Sequence, residues 1–145
     1  MSVPAWMLLG FATWTLVLLL GTVGVYRWSR ILTGHVPIRE FRADRVEGDD
    51  WYKRAMRAHA NCVENLPVFG AIVLALYAGH VTGPTVDSLA VVILATRIAQ
   101  SVVHVGLEQT NAVSFVRFVF FFAQIACFFW LIAIVATTVS RTGHG

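Results

Sequence analysis

The sequence predicts an all-α integral membrane protein, a bundle of four transmembrane helices. Three observations carry that expectation. The 145 residues are 57% hydrophobic and only 13% charged. That is more apolar surface than one soluble domain of this size can hide, so the bilayer is the natural solvent. Hydropathy separates four apolar runs, each about as long as the twenty residues needed to cross a ~30 Å hydrocarbon core. The runs are too long and too continuous for barrel strands, and backbone groups in lipid must be satisfied within their own segment.

The first run, residues 4–26, has no basic residue before it and exceeds the apolar core of a signal peptide. It therefore reads as a mature span. The second covers about 51–79, the third 85–106 and the fourth 112–139, all within one domain of residues 1–145. No internal repeat or low-complexity tract interrupts them. The connection "RWSRILTGHVPIREFRADRVEGDD" is long and mixed in charge, whereas "HVTGPTV" and "LEQTN" are short and carry no Lys or Arg.

Eight of the eleven Lys and Arg residues lie between Arg27 and Arg57. The net charge of +3 is thus a positive-inside signal rather than a nucleic-acid surface, and no nucleic-acid partner is expected. It places the first loop in the cytoplasm and both termini on the opposite side. Cys62 and Cys127 both fall inside apolar segments without paired spacing, which predicts free thiols, no disulfide and no metal site.

Polar side chains inside a span cost roughly 2.5–3.5 kcal/mol each and call for a reason. In the second span, Arg57, Asn61 and Glu64 are spaced i, i+4, i+7 on one helical face, with Arg54 a turn before. Arg97, Gln100, Ser101 and His104 form a stripe in the third, and Arg117 is followed by Gln124 in the fourth. The helical rise puts Glu64 ~22 Å from the outer end of its span, Arg97 ~18 Å and Gln100 ~22 Å, and Arg117 ~7 Å below the cytoplasmic end of the fourth span. Three helices thus bring polar groups to one layer in the cytoplasmic half of the membrane.

Simpler readings stand beside this one. Lys53 and Arg54 can snorkel at the interface, and Arg57 admits the same account. Asn61, Gln100 and Ser101 can be interhelical hydrogen-bonding residues, and Glu64 can serve only to neutralise Arg97. His59 and His104 read as interfacial hydrogen-bonders, and His80 and His144 as exposed. Arg117 is hardest to explain structurally, because no acid lies near it on its own helix.

The layer offers three or more guanidinium groups, a carboxylate and two amides. Arg holds carboxylates through a bidentate fork, and a lone Glu suits an ammonium. A small zwitterion with additional carboxylates matches, with an apolar second substrate arriving from lipid. No GxGxxG, phosphate loop, HExxH or Ser-His-Asp order is present. Catalysis would then consist of activating a nucleophile that the ligand carries, as an Arg beside a thiol favours the thiolate.

The stretch "RAHANCVENLPVF" resembles the second-helix signature of the membrane-associated proteins in eicosanoid and glutathione metabolism, the MAPEG family. Its R-x3-N-x2-E pattern falls on Arg57, Asn61 and Glu64, with Pro67 just after. Chain length, four spans, a long basic first loop and an Arg early in the fourth helix also fit, so the resemblance covers nearly the whole chain. It implies a homotrimer that binds glutathione, as cosubstrate, between neighbouring subunits near the cytoplasmic face of a membrane, as in bacterial inner-membrane members. Arg57, Asn61 and Glu64 would contact glutathione, Glu64 taking the γ-glutamyl amine and Arg side chains, Arg54 among the candidates, the carboxylates. Arg97 would match the third-helix Arg of the prostaglandin E synthase branch, with Gln100 and His104 on the same face. Arg117 would match the fourth-helix Arg that stabilises the thiolate, the catalytic role.

The chain departs from that pattern at its tyrosines. Asn65 follows the motif's Glu where leukotriene-synthase relatives carry Tyr, His104 stands where several relatives have Tyr, and Phe120 and Phe121 follow Arg117 where a Tyr is often found. Thiolate formation then rests on Arg117. The expected function is a membrane glutathione S-transferase or peroxidase acting on a lipophilic electrophile or lipid hydroperoxide. The alternative is a catalytically silent glutathione-binding or structural protein of the same fold. A small transporter is weaker, because no broken-helix or inverted-repeat pattern is visible.

Overall fold

The computed structural model describes residues 1–35, 37, 41 and 48–142. Arg39, Arg42 and Arg45 of the basic first loop, and His144, lie outside the described residues. Within them the chain is helical, with four helices long and apolar enough to cross a membrane. They are α1 (Val3–Leu32), α2 (Asp50–Ala78), α3 (Pro84–Gly106) and α4 (Asn111–Thr142). Leu16, Leu20, Leu74, Phe115 and Phe129 are each more than half exposed on the outer surface of the bundle, the pattern of a protein solvated by lipid.

α1 runs past the predicted end near Tyr26, because the amphipathic turn Val25–Leu32 continues it beyond the apolar run. A π-helical segment, Leu19–Gly24, lies in its middle, where the Val25 N–H reaches back to the Leu20 carbonyl. Gly24 permits that widened turn: a β-carbon there would stand 3.2 Å from the Leu19 carbonyl oxygen. Beyond it, Tyr26 stacks on Tyr52 at a centroid distance of 4.1 Å, and the Tyr52 hydroxyl accepts a hydrogen bond from Arg27 Nε at 2.8 Å. The Tyr26 hydroxyl accepts from the Asp49 N–H at 3.1 Å, and Arg30 pairs with the Asp49 carboxylate at 3.2 Å. This latch fixes where α2 begins.

α2 starts with Asp50 in its first turn, an acid suited to the positive end of the helix dipole. Pro67 interrupts its hydrogen-bond ladder one turn after Glu64, removing the donor that would reach the Val63 carbonyl. The helix stops in a Schellman turn: Val81 N–H bonds the Leu76 carbonyl and His80 N–H the Tyr77 carbonyl, with His80 at φ 50°. α3 opens on Pro84, whose missing N–H costs nothing at a helix start. α4 opens after Thr110, whose hydroxyl accepts the Val113 N–H at 3.2 Å.

The apolar core lies away from the latch and is built on Phe11, Phe69 and Phe128, with Phe69 5.9 Å from Phe11 and 6.0 Å from Phe128 between ring centroids. Ile72, Leu76, Ile93 and Leu131 fill the space around them. Between this core and the latch, the facing helices carry polar side chains instead.

Candidate functional site

The polar layer has two depths. The outer one is a cavity of about 660 Å³ lined by Asp50, Trp51, Lys53, Arg54 and Arg57 of α2 with Glu108 and Gln109 of the α3–α4 connection. Arg54 is half-buried and its Nε reaches the Val105 carbonyl at 3.5 Å, while Arg57 is exposed. The inner one is a cavity of about 260 Å³, where Asn61 from α2, Gln100 from α3 and Arg117 from α4 converge with Gln109, Ser114, Phe118 and Phe121. Gln109 belongs to both walls, so the two spaces adjoin.

Helical spacing explains this. Asn61 lies one turn beyond Arg57, which moves the polar face of α2 from the outer cavity to the inner one. Asn65 donates its side-chain amide to the Asn61 carbonyl at 2.7 Å, one turn back on the same helix. Gln100 is buried, and its amide donates to the main-chain carbonyl of Arg117 at 3.2 Å. Arg117 is half-buried, and its Nε is buried without a hydrogen-bond partner among the described residues.

Arg97 and His104 line neither cavity; they flank the wall residue Gln100 on α3, about one turn to either side. Arg97 is 1% exposed and donates from Nη2 to Gln124 Oε1 at 2.6 Å. Its guanidinium carbon stands 5.6 Å from the Phe11 ring centroid, a cation–π arrangement. Its carbonyl accepts the Ser101 hydroxyl at 2.8 Å, which leaves the Ser101 oxygen to accept from the Cys62 thiol at 3.6 Å. Cys62 thus packs as a buried structural thiol, and Cys127 is likewise free and buried. His104 is buried with Nδ1 unpartnered among the described residues, and Arg117, Arg57 and Arg54 are the cations acting on it across space.

Glu64 is exposed in the single chain, and among the described residues it forms no ion pair with Arg97. Arg97 is held by an amide instead. Arg57, Asn61 and Glu64 lie along a face of α2 that is exposed at Arg57 and Glu64 and half-buried at Asn61. Gln124 stands outside the site that the sequence predicts; a lone amide within "FVFFFAQIACFFW" is the signal it offers. Gln109 in a short connection and Ser114 at the start of α4 give none, since polar residues are ordinary in both places.

None of the tyrosines lines the inner cavity. Tyr26 and Tyr52 are committed to the latch, and Tyr77 is 77% exposed near the far end of α2. Among the described residues, no group of three His, Cys, Asp or Glu side chains comes together as a metal site.

Four membrane-length helices, three of which line a polar cavity, define a multi-pass integral membrane protein with a cluster of Arg and amide side chains toward one end of its bundle. The sequence model of the MAPEG family matches residues 3–137, and the chain belongs to that family. Members of the family are glutathione-dependent transferases and peroxidases or eicosanoid-related proteins. Neither a curated protein nor a solved structure matches the chain.

Proposed function

We propose that the chain is a membrane-bound glutathione-dependent transferase or peroxidase. One observation carries the reading: Asn61, Gln100 and Arg117 come from three helices to one small cavity, in a family associated with glutathione. The adjoining basic cavity, with Lys53, Arg54 and Arg57, suits the two carboxylates of the tripeptide. Glu64 takes its ammonium. Arg117, with an unused buried Nε, faces the thiol and favours the thiolate, the proton leaving to water.

The thiolate then attacks from the cavity side lined by Phe118 and Phe121, where a lipophilic substrate fits. With an aromatic halide, the C–S bond forms and halide leaves with its electron pair. With a lipid hydroperoxide, sulfur takes the terminal OH to give a sulfenic acid, and the lipid alkoxide leaves with the O–O electron pair and takes a proton from water to become the alcohol. A second glutathione closes the disulfide and releases water. All of these reactions begin from the same nucleophile.

Exposure of Arg57 and Glu64 on the single chain supports completion of the site by a neighbouring copy, as a homotrimer would provide. The first loop and the polar end face the cytoplasm in this reading. Conjugation of a chloronitroaromatic compound by the purified protein tests it. A loss of about 10²-fold in Arg117→Ala supports the assignment, and full activity in that variant overturns the role of Arg117.

The absence of tyrosine from the cavity wall favours a second reading, a protein that binds glutathione without turnover. Glutathione binding without thiolate absorbance, and without conjugation of several electrophiles, would select it.

A further inference from the structure

We infer that Arg97 is a buried cation kept un-neutralised by an uncharged partner, and that Gln124 is the positioning residue that keeps its charge available to the bound thiolate. The inference rests on the glutathione reading above and deepens it, because Arg97 lies outside the cavity wall and acts through space.

The partners around Arg97 are neutral. Gln124 is fully buried and accepts from Nη2 at 2.6 Å; Ser101 and Cys62 are uncharged hydrogen-bonding neighbours; Phe11 presents its ring face. Nε of Arg97 and Nε2 of Gln124 are both buried and unpartnered among the described residues. No carboxylate among the described residues forms an ion pair with the guanidinium. An arginine does not shed its proton to escape burial, so the charge persists.

A charge at this depth is costly, and the usual remedy is a carboxylate. Glutamate at position 124 would match the same geometry, differing from glutamine only in oxygen for NH2. The chain carries the amide. A neutral acceptor fixes the guanidinium without cancelling its field, and in a water-poor interior that field reaches further than in water.

The charged and titratable groups facing this region come from three helices. From α2, Glu64 and Cys62 act on Arg97, and Arg54 and Arg57 face His104; α4 contributes Arg117, and α3 contributes His104 one turn beyond Gln100. Glu64 is the acid that acts on Arg97, and in the glutathione reading the ligand's ammonium occupies it; Asp50 and Glu108 line the adjoining outer cavity. Binding would therefore offset the Glu64 charge and leave Arg97 and Arg117 acting together on the thiol. Arg97 stands one helical turn from Gln100, a wall residue of the cavity.

The experiment compares the purified full-length protein with Gln124→Glu, titrating the thiolate absorbance of saturating glutathione against pH. Affinity for S-methyl glutathione, which has no thiol to ionise, is measured alongside by calorimetry. Gln124→Glu is expected to raise the apparent thiol pKa by about one unit, roughly tenfold less thiolate at a pH below it, with S-methyl glutathione affinity within about threefold of wild type. Should Gln124→Glu fail to fold, Arg97→Gln carries the same expectation. An unchanged thiol pKa in the variants that fold overturns the inference. So does a loss of thiolate that merely follows a loss of S-methyl glutathione affinity, which marks a packing effect. Failure of the wild-type protein to bind either compound is a different result: it overturns the glutathione reading itself, and this inference with it.

Discussion

Gln100 donates its side-chain amide to the main-chain carbonyl of Arg117 at 3.2 Å, tying α3 to α4 at the wall of the inner cavity. An interhelical hydrogen bond in a membrane protein averages only about 0.6 kcal/mol, too little to hold a bundle together. Its consequence is therefore orientation: it fixes where α4 presents the Arg117 side chain. Replacing Gln100 by Leu keeps the volume and removes the tie. Thermal stability in detergent is expected to change by less than about 2 kcal/mol, while glutathione affinity falls about tenfold, or about 1.4 kcal/mol. Unaltered affinity in a folded variant would show that the tie does not orient the site.

Arg117 itself should matter far more. Removing a group that stabilises developing or resident charge typically costs about 10²–10³ in rate. Arg117→Ala is accordingly expected to lose conjugation of a chloronitroaromatic substrate by about 10²-fold while remaining folded. Arg117→Lys, which keeps the charge and loses the planar fork, should fall between the two. Steady-state kinetics on the three proteins checks the order, and an alanine variant as active as the lysine variant would contradict it.

The four spans were legible because hydropathy and length report lipid contact directly, and the convergence of Asn61, Gln100 and Arg117 was legible because helical rise brings them to a similar level in the bundle. The split between cavity-lining and enclosed side chains was not. Arg97 and Gln100 sit on the same stripe three residues apart, yet one is enclosed by Gln124 and Phe11 and the other faces the cavity. That depends on what packs opposite, which a single helix's periodicity cannot contain. The latch at Tyr26 was equally hidden, since it depends on Tyr26 and Tyr52 meeting across 26 residues of sequence.

The latch between α1 and α2 leaves no room at Gly48. Its φ is 137°, and a β-carbon there would stand 2.7 Å from the Tyr26 hydroxyl. Gly48→Ala thus combines an unfavourable backbone conformation with a clash against a ring already stacked on Tyr52. A destabilisation of about 1–3 kcal/mol is expected, read as a lower midpoint of thermal unfolding. A midpoint equal to wild type would show that the latch contributes nothing to the fold.

His80 offers the opposite case. It adopts φ 50° at the end of α2, a left-handed conformation that costs a residue with a β-carbon about 1–2 kcal/mol. Glycine pays for its greater freedom in the unfolded chain, roughly 0.5–1 kcal/mol. His80→Gly should therefore be stabilising by up to about 1 kcal/mol and leave glutathione affinity unchanged, because the polar cavities lie elsewhere. A clear drop in the unfolding midpoint would mean that the His80 side chain makes a stabilising contact that outweighs its backbone strain.

The central claim is that the inner cavity binds glutathione and ionises its thiol. Titrating glutathione into the purified protein at a pH below the free thiol's pKa, and recording thiolate absorbance, tests it most directly. The account predicts a saturable rise with glutathione and none with S-methyl glutathione, while both compounds bind. Binding of both with no absorbance change would leave a glutathione-binding protein without an activated thiol and contradict the catalytic account.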